Sequence, residues 1–340
     1  MKDSAVRAGL RRINGMLGVG LLAAGLICVG CSGSSPSTSL PTKDAGSTSP
    51  LVVAVTVEPI NWLVSQIGGD AVRPITAVPP GQNHETWEPT PGYMENLRRA
   101  SFYFESGMPF EEPLIDRLRG LNPSLSVVCL LDAVTEKWAQ PFSVASDVHG
   151  EKPADTGDAL DHSSDHGHDH HGHHHEHGDP HFWTDPQAMA AAAERIAEAL
   201  EQRMPDWGPE IRARLASAQR MLADLDSELA SMLASHRGCR YYVFHPETGW
   251  FARRYGLIER AVEQHGKAPG ARTLDELARE IREAGVTVLL SQPGYPVTEV
   301  QALARQLNLE VREVNLIVPD YPEAMRELAR TLMESFSPPV

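Results

Sequence analysis

The sequence is poor in cysteine. Of its four cysteines, Cys28 and Cys31 fall in an N-terminal apolar segment, which leaves Cys129 and Cys239 in the rest of the chain. These two lie in separate predicted strands, and nothing in their spacing supports a disulfide. We therefore expect two buried, unreactive thiols rather than a disulfide framework.

Positive charge is also scarce. Thirty Lys and Arg residues stand against 45 Asp and Glu residues, which gives a net charge of −15. Residues 1–30 are net positive, so the remainder of the chain is more acidic still. This balance argues against a nucleic-acid partner and suits a cation as the ligand. The sequence also lacks an HExxH motif or a comparable hydrolase motif, so we do not expect an enzyme.

A hydrophobic run of membrane-spanning length is missing as well. The N-terminal run MLGVGLLAAGLICVG is short for a membrane span and follows a basic segment, so residues 1–30 are predicted to be a signal peptide. The small residue before Cys31 resembles the lipobox of bacterial lipoproteins, and residues 31–50 form a polar linker, so we expect Cys31 to be acylated. Cleavage without lipidation and an uncleaved anchor are the alternatives, because Cys28 stands where the lipobox usually has Leu.

Strands and helices alternate in two blocks of the chain. Short β-branched runs, each followed by a helix or a loop, predict parallel sheets with helices on both sides. The predicted strands cover residues 51–57, 71–78, 101–105 and 125–131 in the first block and 239–245, 257–263, 286–291 and 309–316 in the second. The predicted fold class is α/β, with two lobes that each contain a parallel four-stranded sheet flanked by helices.

A helical region connects the two predicted lobes. The lobes are expected to cover residues 51–148 and 237–340, with the helical region at 181–236. From Ile211 to Met232 the apolar residues step by three or four positions, which indicates one buried stripe. At 1.5 Å per residue this helix would be about 40 Å long, so we expect a rigid connection between the lobes.

Residues 149–180 form a predicted insertion that is rich in histidine. Nine histidines lie between His162 and His177, separated by Asp, Gly, Ser and Glu, and residues 161–178 include no apolar side chain. We therefore expect a solvated loop. Imidazole binds zinc, copper and nickel, so the composition indicates metal handling. The alternative is a poly-His segment without function, although an engineered tag would lie at a terminus and lack the spacers.

Three other histidines are candidate ligands. His84 lies in the loop after the second predicted strand, His181 follows the insertion after the fourth, and His245 ends the fifth. Because ligands of parallel α/β sheets bind at the carboxyl ends of the strands, these side chains should meet between the lobes. Three histidines and an oxygen ligand form a stable zinc shell. The alternatives are a loop role for His84 and a packing role for His245. Glu85 and Glu247 are expected to be solvated or to lie behind the ligands.

Four segments resemble those of one known family. GQNHETWEPTPGYMENL is similar to PHxYEPTPxDIxxL, DPHFWTDP to DPHxWLDP, FHPETGWFARRYGL to FHxAFGYFAKRYGL, and EQHGKAPGARTLDELAREI to ExxGKEPxxxxLxxL. The family is that of the zinc/manganese solute-binding lipoproteins that serve ABC importers, and the segments occur in its order from about Leu51 onward. The resemblance implies two lobes joined by a long helix, with a metal between them and His84, His181 and His245 as its ligands.

The fourth ligand of that family is an Asp or Glu after the last strand. The corresponding stretch here is VNLIVPDY, which places Asn315 at that position. Because Asn is a weak neutral ligand, Asn315, water and a carboxylate from elsewhere remain as alternatives. The loss of an anionic ligand favours zinc over manganese, since carboxylate-rich shells suit manganese. The His-rich insertion, which resembles that of the zinc-binding members, favours zinc as well.

The resemblance implies an extracytoplasmic receptor, periplasmic or at the cell surface, that captures Zn²⁺ and passes it to an ABC permease and its ATPase. We expect a monomer held at the membrane by its lipid anchor, in which the His-rich insertion collects zinc by weak multivalent binding. Three alternatives are a manganese receptor of the same family, a zinc hydrolase with Glu85 or Glu247 as base, and a metal-buffering or adhesin-like surface lipoprotein without an importer.

Overall fold

The computed structural model describes residues 49–137, 178–263 and 269–336, so the predicted signal peptide, Cys31 and the His-rich tract lie outside the described residues. The described residues form two sheets of four parallel strands. The first has the order β2-β1-β3-β4, with β1 Leu51–Val55, β2 Val72–Thr76, β3 Phe102–Glu105 and β4 Ser126–Cys129. The second has the order β6-β5-β7-β8, with β5 Arg240–Val243, β6 Ile258–Ala261, β7 Val288–Ser291 and β8 Glu310–Glu313. The predicted fold class is confirmed.

Helices follow the strands in both lobes. In the first lobe and the connection they are α1 Glu58–Gly68, α2 Pro91–Leu97, α3 Glu111–Leu121, α4 Leu130–Lys137, α5 Pro186–Arg203 and α6 Gly208–Leu233. In the second lobe they are α7 Gly249–Tyr255, α8 Ala271–Ala284, α9 Val297–Leu307 and α10 Tyr321–Ser335. The prediction of a strand that continues to residue 131 was wrong, because the chain turns into α4 at Leu130.

The connecting helix α6 has the predicted length and pattern. It contains 26 residues, which at 1.5 Å each is about 39 Å. Its buried residues include Ile211, Leu222 and Leu229, and these lie on the stripe that the sequence indicates. Pro209 stands in its first turn, where a missing N–H costs nothing. No helix among the described residues is long and apolar enough to cross a membrane.

One apolar core extends through both lobes. Successive strand residues point to opposite faces of a sheet. In β1, Val53 and Val55 face the same cluster of buried side chains as Tyr241 and Val243 of β5, and this cluster also includes the buried stripe of α6. The opposite faces of the sheets pack against separate, smaller clusters, one in each lobe. The lobes are therefore joined by shared apolar packing as well as by the chain.

Helix α10 adds a second connection between the lobes. It packs against α6 and against α1 of the first lobe. The ring of Tyr321, at the start of α10, lies 5.1 Å from that of Trp62 in α1, and Tyr321 is fully buried. Asp320 caps α10 by accepting a hydrogen bond from the Glu323 N–H. The last described helix thus fixes the second lobe against the first.

Candidate metal centre

The three candidate histidines lie together, and Glu85 joins them. One ligand atom from each of the four side chains lies within 4.8 Å of those of the others. The Nε2 atoms of His84 and His181 are 3.2 Å apart. Oε1 of Glu85 is 3.5 Å from His181 Nε2, 3.4 Å from His245 Nε2 and 3.9 Å from His84 Nε2. Three imidazole nitrogens from both lobes therefore surround one carboxylate oxygen.

The cluster is closed to solvent on most sides. His84 and His181 are buried, and the side chain of His245 is nearly so. The Glu85 side chain, at 27% exposed, is the most accessible of the four. Trp183 closes one wall, with its ring 5.2 Å from that of His181 and 6.1 Å from that of His84. An ion that enters this cluster must exchange its water shell for protein ligands, and Glu85 marks the accessible side.

The loop that carries His84 and Glu85 runs from β2 to α2. The Asn83 side chain accepts a hydrogen bond from the Glu85 N–H at 2.8 Å, which sets the turn between them. Gly294, in the loop after β7, holds this turn from the other lobe. It has φ +92°, and a Cβ there would lie 2.8 Å from the Asn83 nitrogen. Only glycine combines that backbone conformation with so close an approach.

His181 is oriented by Asp179. One carboxylate oxygen of Asp179 accepts hydrogen bonds from the His181 backbone N–H at 3.0 Å and from its Nδ1 at 2.7 Å, so Nε2 points into the cluster. A 3₁₀ turn, Phe182–Thr184, follows, and Asp185 then caps α5 by accepting from the Gln187 N–H. A carboxylate behind a ligating histidine fixes the ring and raises its basicity.

His245 has an equivalent partner in Glu263. Its Nδ1 lies 2.8 Å from a Glu263 carboxylate oxygen. The side-chain amide of Gln292 donates to the His245 carbonyl at 3.2 Å, and the ring of Tyr295 stacks on the imidazole at 5.3 Å and 27°. Ring position and rotation are thus both fixed, with Nε2 again toward the cluster.

Burial and the neighbouring carboxylates shift the pKa values of the three histidines in different directions. Burial, reinforced by His181, lowers the pKa of His84 to about 3. Burial would also lower the pKa of His181, but Asp179 outweighs it and raises this pKa to about 10. His245 behaves similarly: its bond to Glu263 outweighs burial and raises the pKa to about 9. Without a bound cation, these shifts favour the neutral form of His84 and the protonated forms of His181 and His245.

Glu85 and Glu247, which were expected to be solvated or to lie behind the ligands, are in different environments. Burial favours the neutral form of Glu85, but the bonds to His181 and His245 prevail and hold its pKa well below the usual range, so it is ionised. Glu85 contacts the ring nitrogens directly instead of being solvated or lying behind them. Glu247 is only 1% exposed, so of its two expected roles the solvated one does not apply and a place behind the ligands remains. Burial raises the pKa of Glu247, and neither carboxylate oxygen has a hydrogen-bond partner in the described parts of the chain.

Asn315 is placed differently from the histidines. It lies after β8, is exposed, and its side-chain oxygen accepts a hydrogen bond from the Ile317 N–H at 3.0 Å. That bond uses one of the two lone pairs of the amide oxygen, and a ligand role for Asn315 stays a prediction. Cys129 and Cys239 are free and partly buried, and burial raises the pKa of the Cys129 thiol well above its usual range.

Sequence reasoning did not assign Glu85, Asp179 and Glu263 to the site, although each has a local signal. Glu85 is adjacent to a candidate ligand, Asp179 opens the DPH segment, and Glu263 opens the EQHGK segment. The donor set of three imidazole nitrogens and one carboxylate oxygen is a tetrahedral zinc set. The arrangement can thus hold one divalent cation, with carboxylates behind two of the three rings.

Comparison with known proteins agrees with this geometry. A sequence profile of the family described as "Zinc-uptake complex component A periplasmic" matches residues 53–335. The chain belongs to this family. Because the match covers most of the chain, it includes both lobes, the connecting helix and all four clustered side chains.

The individual relatives share fewer than a third of the matched residues with this chain. The "High-affinity zinc uptake system protein ZnuA" of Haemophilus ducreyi is 29% identical over 160 residues, 44% of this chain and 52% of that protein. The protein of the same name from Brucella suis biovar 1 is 26% identical over 309 residues, 84% of this chain and 91% of that one. This chain spans about half the length of the Haemophilus and Paracoccus relatives that it matches.

Solved structures show the same fold. The crystal structure of a ZnuA deletion mutant with zinc bound has a TM-score of 0.70 and 23% identity, and the match covers 86% of this chain and 100% of that chain. At this level of identity the likeness establishes the two-lobed fold, and the chemistry of the centre is argued from the side chains present here.

Proposed function

We propose that this protein is an extracytoplasmic receptor that captures Zn²⁺ between its lobes and delivers it to an ABC importer. The observation that carries the proposal is the convergence of His84, His181 and His245 on one carboxylate oxygen in a largely buried cluster. Membership of the zinc-uptake family supports zinc as the cargo and transport, rather than catalysis, as the activity.

Glu85 is the proposed fourth ligand, in place of Asn315. It is ionised, it is adjacent to His84, and its Oε1 lies within 3.9 Å of all three Nε2 atoms. The Asn315 oxygen is instead used by a backbone N–H. A carboxylate from the His84 loop thus supplies the anionic oxygen that the aligned position after β8 lacks.

Each residue has a distinct part in capture. The lowered pKa of His84 lets this ring bind without losing a proton, whereas the raised pKa values of His181 and His245 favour release of a proton from each when the cation binds. Asp179 and Glu263 then accept hydrogen bonds from the Nδ1 atoms and keep both rings in the ligating tautomer. Trp183 limits the access of water on one side.

The remaining features of the proposal depend on segments outside the described residues or on other proteins. Cys31 is proposed to carry the lipid anchor, and the His-rich tract at 149–180 to collect zinc weakly near the buried site. The partners are an ABC permease and its ATPase, and the receptor acts as a monomer.

Zinc competition with a chelating dye tests the assignment of the buried site. His84→Ala, His181→Ala and Glu85→Gln should each weaken the tightest zinc site, while deletion of residues 161–178 should leave it intact. A protein whose tight binding disappears with the deletion, and survives the three substitutions, would contradict the proposal.

Manganese is the alternative cargo, since a carboxylate ligand is accepted by Mn²⁺ as well as by Zn²⁺. Three imidazoles and one carboxylate in a site of tetrahedral dimensions favour zinc, because manganese prefers six ligands with more oxygen. Metal analysis of the protein after equilibration with equal Zn²⁺ and Mn²⁺ separates the two, and a manganese-loaded product would reverse the assignment.

A further inference from the structure

The carboxylate of Asp226, in the middle of α6, is the centre of a buried polar network. Arg254 of α7 donates to it through both ends of its guanidinium group, Nε to Oδ1 at 2.8 Å and Nη2 to Oδ2 at 2.5 Å. The Tyr255 hydroxyl donates to Oδ1 at 3.2 Å, and the Gln187 side-chain amide donates to Oδ2 at 3.2 Å. Each carboxylate oxygen therefore accepts two hydrogen bonds.

These donors come from the two helices that follow metal-centre histidines. Gln187 lies in the first turn of α5, which begins soon after His181. Arg254 and Tyr255 lie in the last turn of α7, which begins four residues after His245. A single carboxylate on α6 thus fixes both helices to the connection between the lobes.

Helix α7 also contacts the segment that orients His181. The indole N–H of Trp250, in the first turn of α7, donates to the backbone carbonyl of Asp179 at 2.9 Å. The Asp179 side chain in turn orients the His181 ring.

We propose that Asp226 is a positioning residue of the metal centre, which acts through Arg254, helix α7 and the Trp250–Asp179 hydrogen bond on His181. A bidentate Arg–carboxylate pair has a defined geometry, so it fixes the rotation of α7 as well as its distance from α6. Rotation of α7 would move the Trp250 indole and release the Asp179 segment. This inference rests on the proposed zinc site.

The test compares Asp226→Asn and Trp250→Phe with Glu228→Gln in the full-length protein. Asn keeps the size of Asp226 but removes the charge, and Phe keeps a buried ring at 250 but removes the N–H donor. Glu228 lies two residues along α6, and its carboxylate pairs with Arg326 of α10 at 3.0 Å. It is therefore a control for the loss of an ion pair from α6, although its carboxylate is more exposed than that of Asp226.

Two readouts are needed, because loss of stability alone would not show positioning. Zinc Kd is measured by competition well below the Tm of each variant, and the visible absorption of bound Co²⁺, which depends on coordination geometry, is recorded in parallel. Asp226→Asn and Trp250→Phe should each raise the zinc Kd about tenfold, the low end of the effect of partners that orient ligands. Both should alter the Co²⁺ spectrum, and Glu228→Gln should change neither.

The double variant decides whether the two residues act along one path. If they do, Asp226→Asn together with Trp250→Phe weakens binding by less than the product of the separate effects. Unchanged Kd and Co²⁺ spectra in both single variants would overturn the inference, even with a lower Tm, and so would fully multiplicative effects. If Asp226→Asn does not fold, Arg254→Lys replaces it, since Lys keeps the charge but loses the fork.

Failure of this inference is distinct from failure of the zinc site. If the unmodified protein binds zinc tightly and His181→Ala abolishes that binding, the site stands whatever Asp226 does. If the unmodified protein has no tight site, the proposed function itself is wrong.

Discussion

The Nε2 atoms of His84 and His181 lie 3.2 Å apart. Two ligands of a tetrahedral zinc ion, each about 2.0–2.1 Å from the metal, are separated by about 3.3–3.4 Å. The distances from Glu85 Oε1 to His181 and His245, 3.5 and 3.4 Å, are of the same size. Three of the donor–donor distances are therefore close to those of a zinc tetrahedron, whereas Glu85 Oε1 lies 3.9 Å from His84 Nε2, so these side chains must move closer together to bind the ion.

Removal of one ligand should have a large effect on affinity. Protein zinc sites of four ligands have total binding free energies of about 10–16 kcal/mol, which corresponds to about 3 kcal/mol per ligand. His181→Ala should thus raise the zinc Kd at least roughly a hundredfold. Asn315→Ala, at the exposed position after β8, is the comparison and should leave the Kd nearly unchanged. If Asn315→Ala raised the zinc Kd more than His181→Ala did, Asn315 would again be the candidate for the fourth ligand.

Zinc affinity should rise with pH between about 6 and 9. The pKa values of His181 and His245, raised to about 10 and about 9, mean that both rings must lose a proton before they bind, so acid favours the free protein. Up to two protons should be released per zinc in this range, as measured by calorimetry in buffers of different ionisation enthalpy. A pH-independent Kd would mean that these rings are neutral without zinc.

Asp179→Asn provides the control for that pH dependence. Loss of the carboxylate removes the main cause of the raised pKa of His181, so fewer protons should be released per zinc near pH 7. The same change also weakens the orientation of the ring, and the affinity at high pH should therefore fall.

Gly294→Ala should weaken zinc binding through the His84 loop. The new Cβ meets the Asn83 backbone at 2.8 Å, so the loop must move. Gly285→Ala is the matched control, because Gly285 also has a positive φ, +66°, but a Cβ at that position would have open space around it to 4 Å. Gly285→Ala should cost about 1 kcal/mol of stability because of its backbone conformation, and Gly294→Ala should cost more because the new Cβ also meets the Asn83 backbone. Only Gly294→Ala should raise the zinc Kd, and equal affinities would show that the loop adapts.

Zinc should stabilise the folded protein, and a chelator should reverse the effect. Binding to the native state alone adds about 4 kcal/mol to the free energy of unfolding when free zinc is about a thousand times the Kd. Thermal unfolding monitored by circular dichroism should show a higher Tm with zinc, and His181→Ala should remove most of this increase. An equal increase in the variant would place the stabilising ion elsewhere.

The sequence predicted the elements better than the details of the centre. The β-branched runs and the alternation of strands with helices were sufficient to predict all eight strands. The spacing of apolar residues by three or four positions was sufficient to predict α6. Helix α4 was missed because Leu130 and Leu131 continue an apolar strand run, and short apolar runs have no helical period. The positions of His84, His181 and His245 followed from the rule for strand ends. The role of Glu85 depends on a turn set by Asn83 and Gly294, which no local pattern shows.

The shared apolar core, which contains Val53 and Val55 of β1 as well as Tyr241 and Val243 of β5, limits how a bound cation can be released. Wide separation of the two halves would bring those side chains into water, at a cost of about 25 cal/mol for each Å² exposed. We therefore expect release of the ion to require a local movement of the His84 loop, on the side where Glu85 is exposed to solvent, while the shared core stays packed.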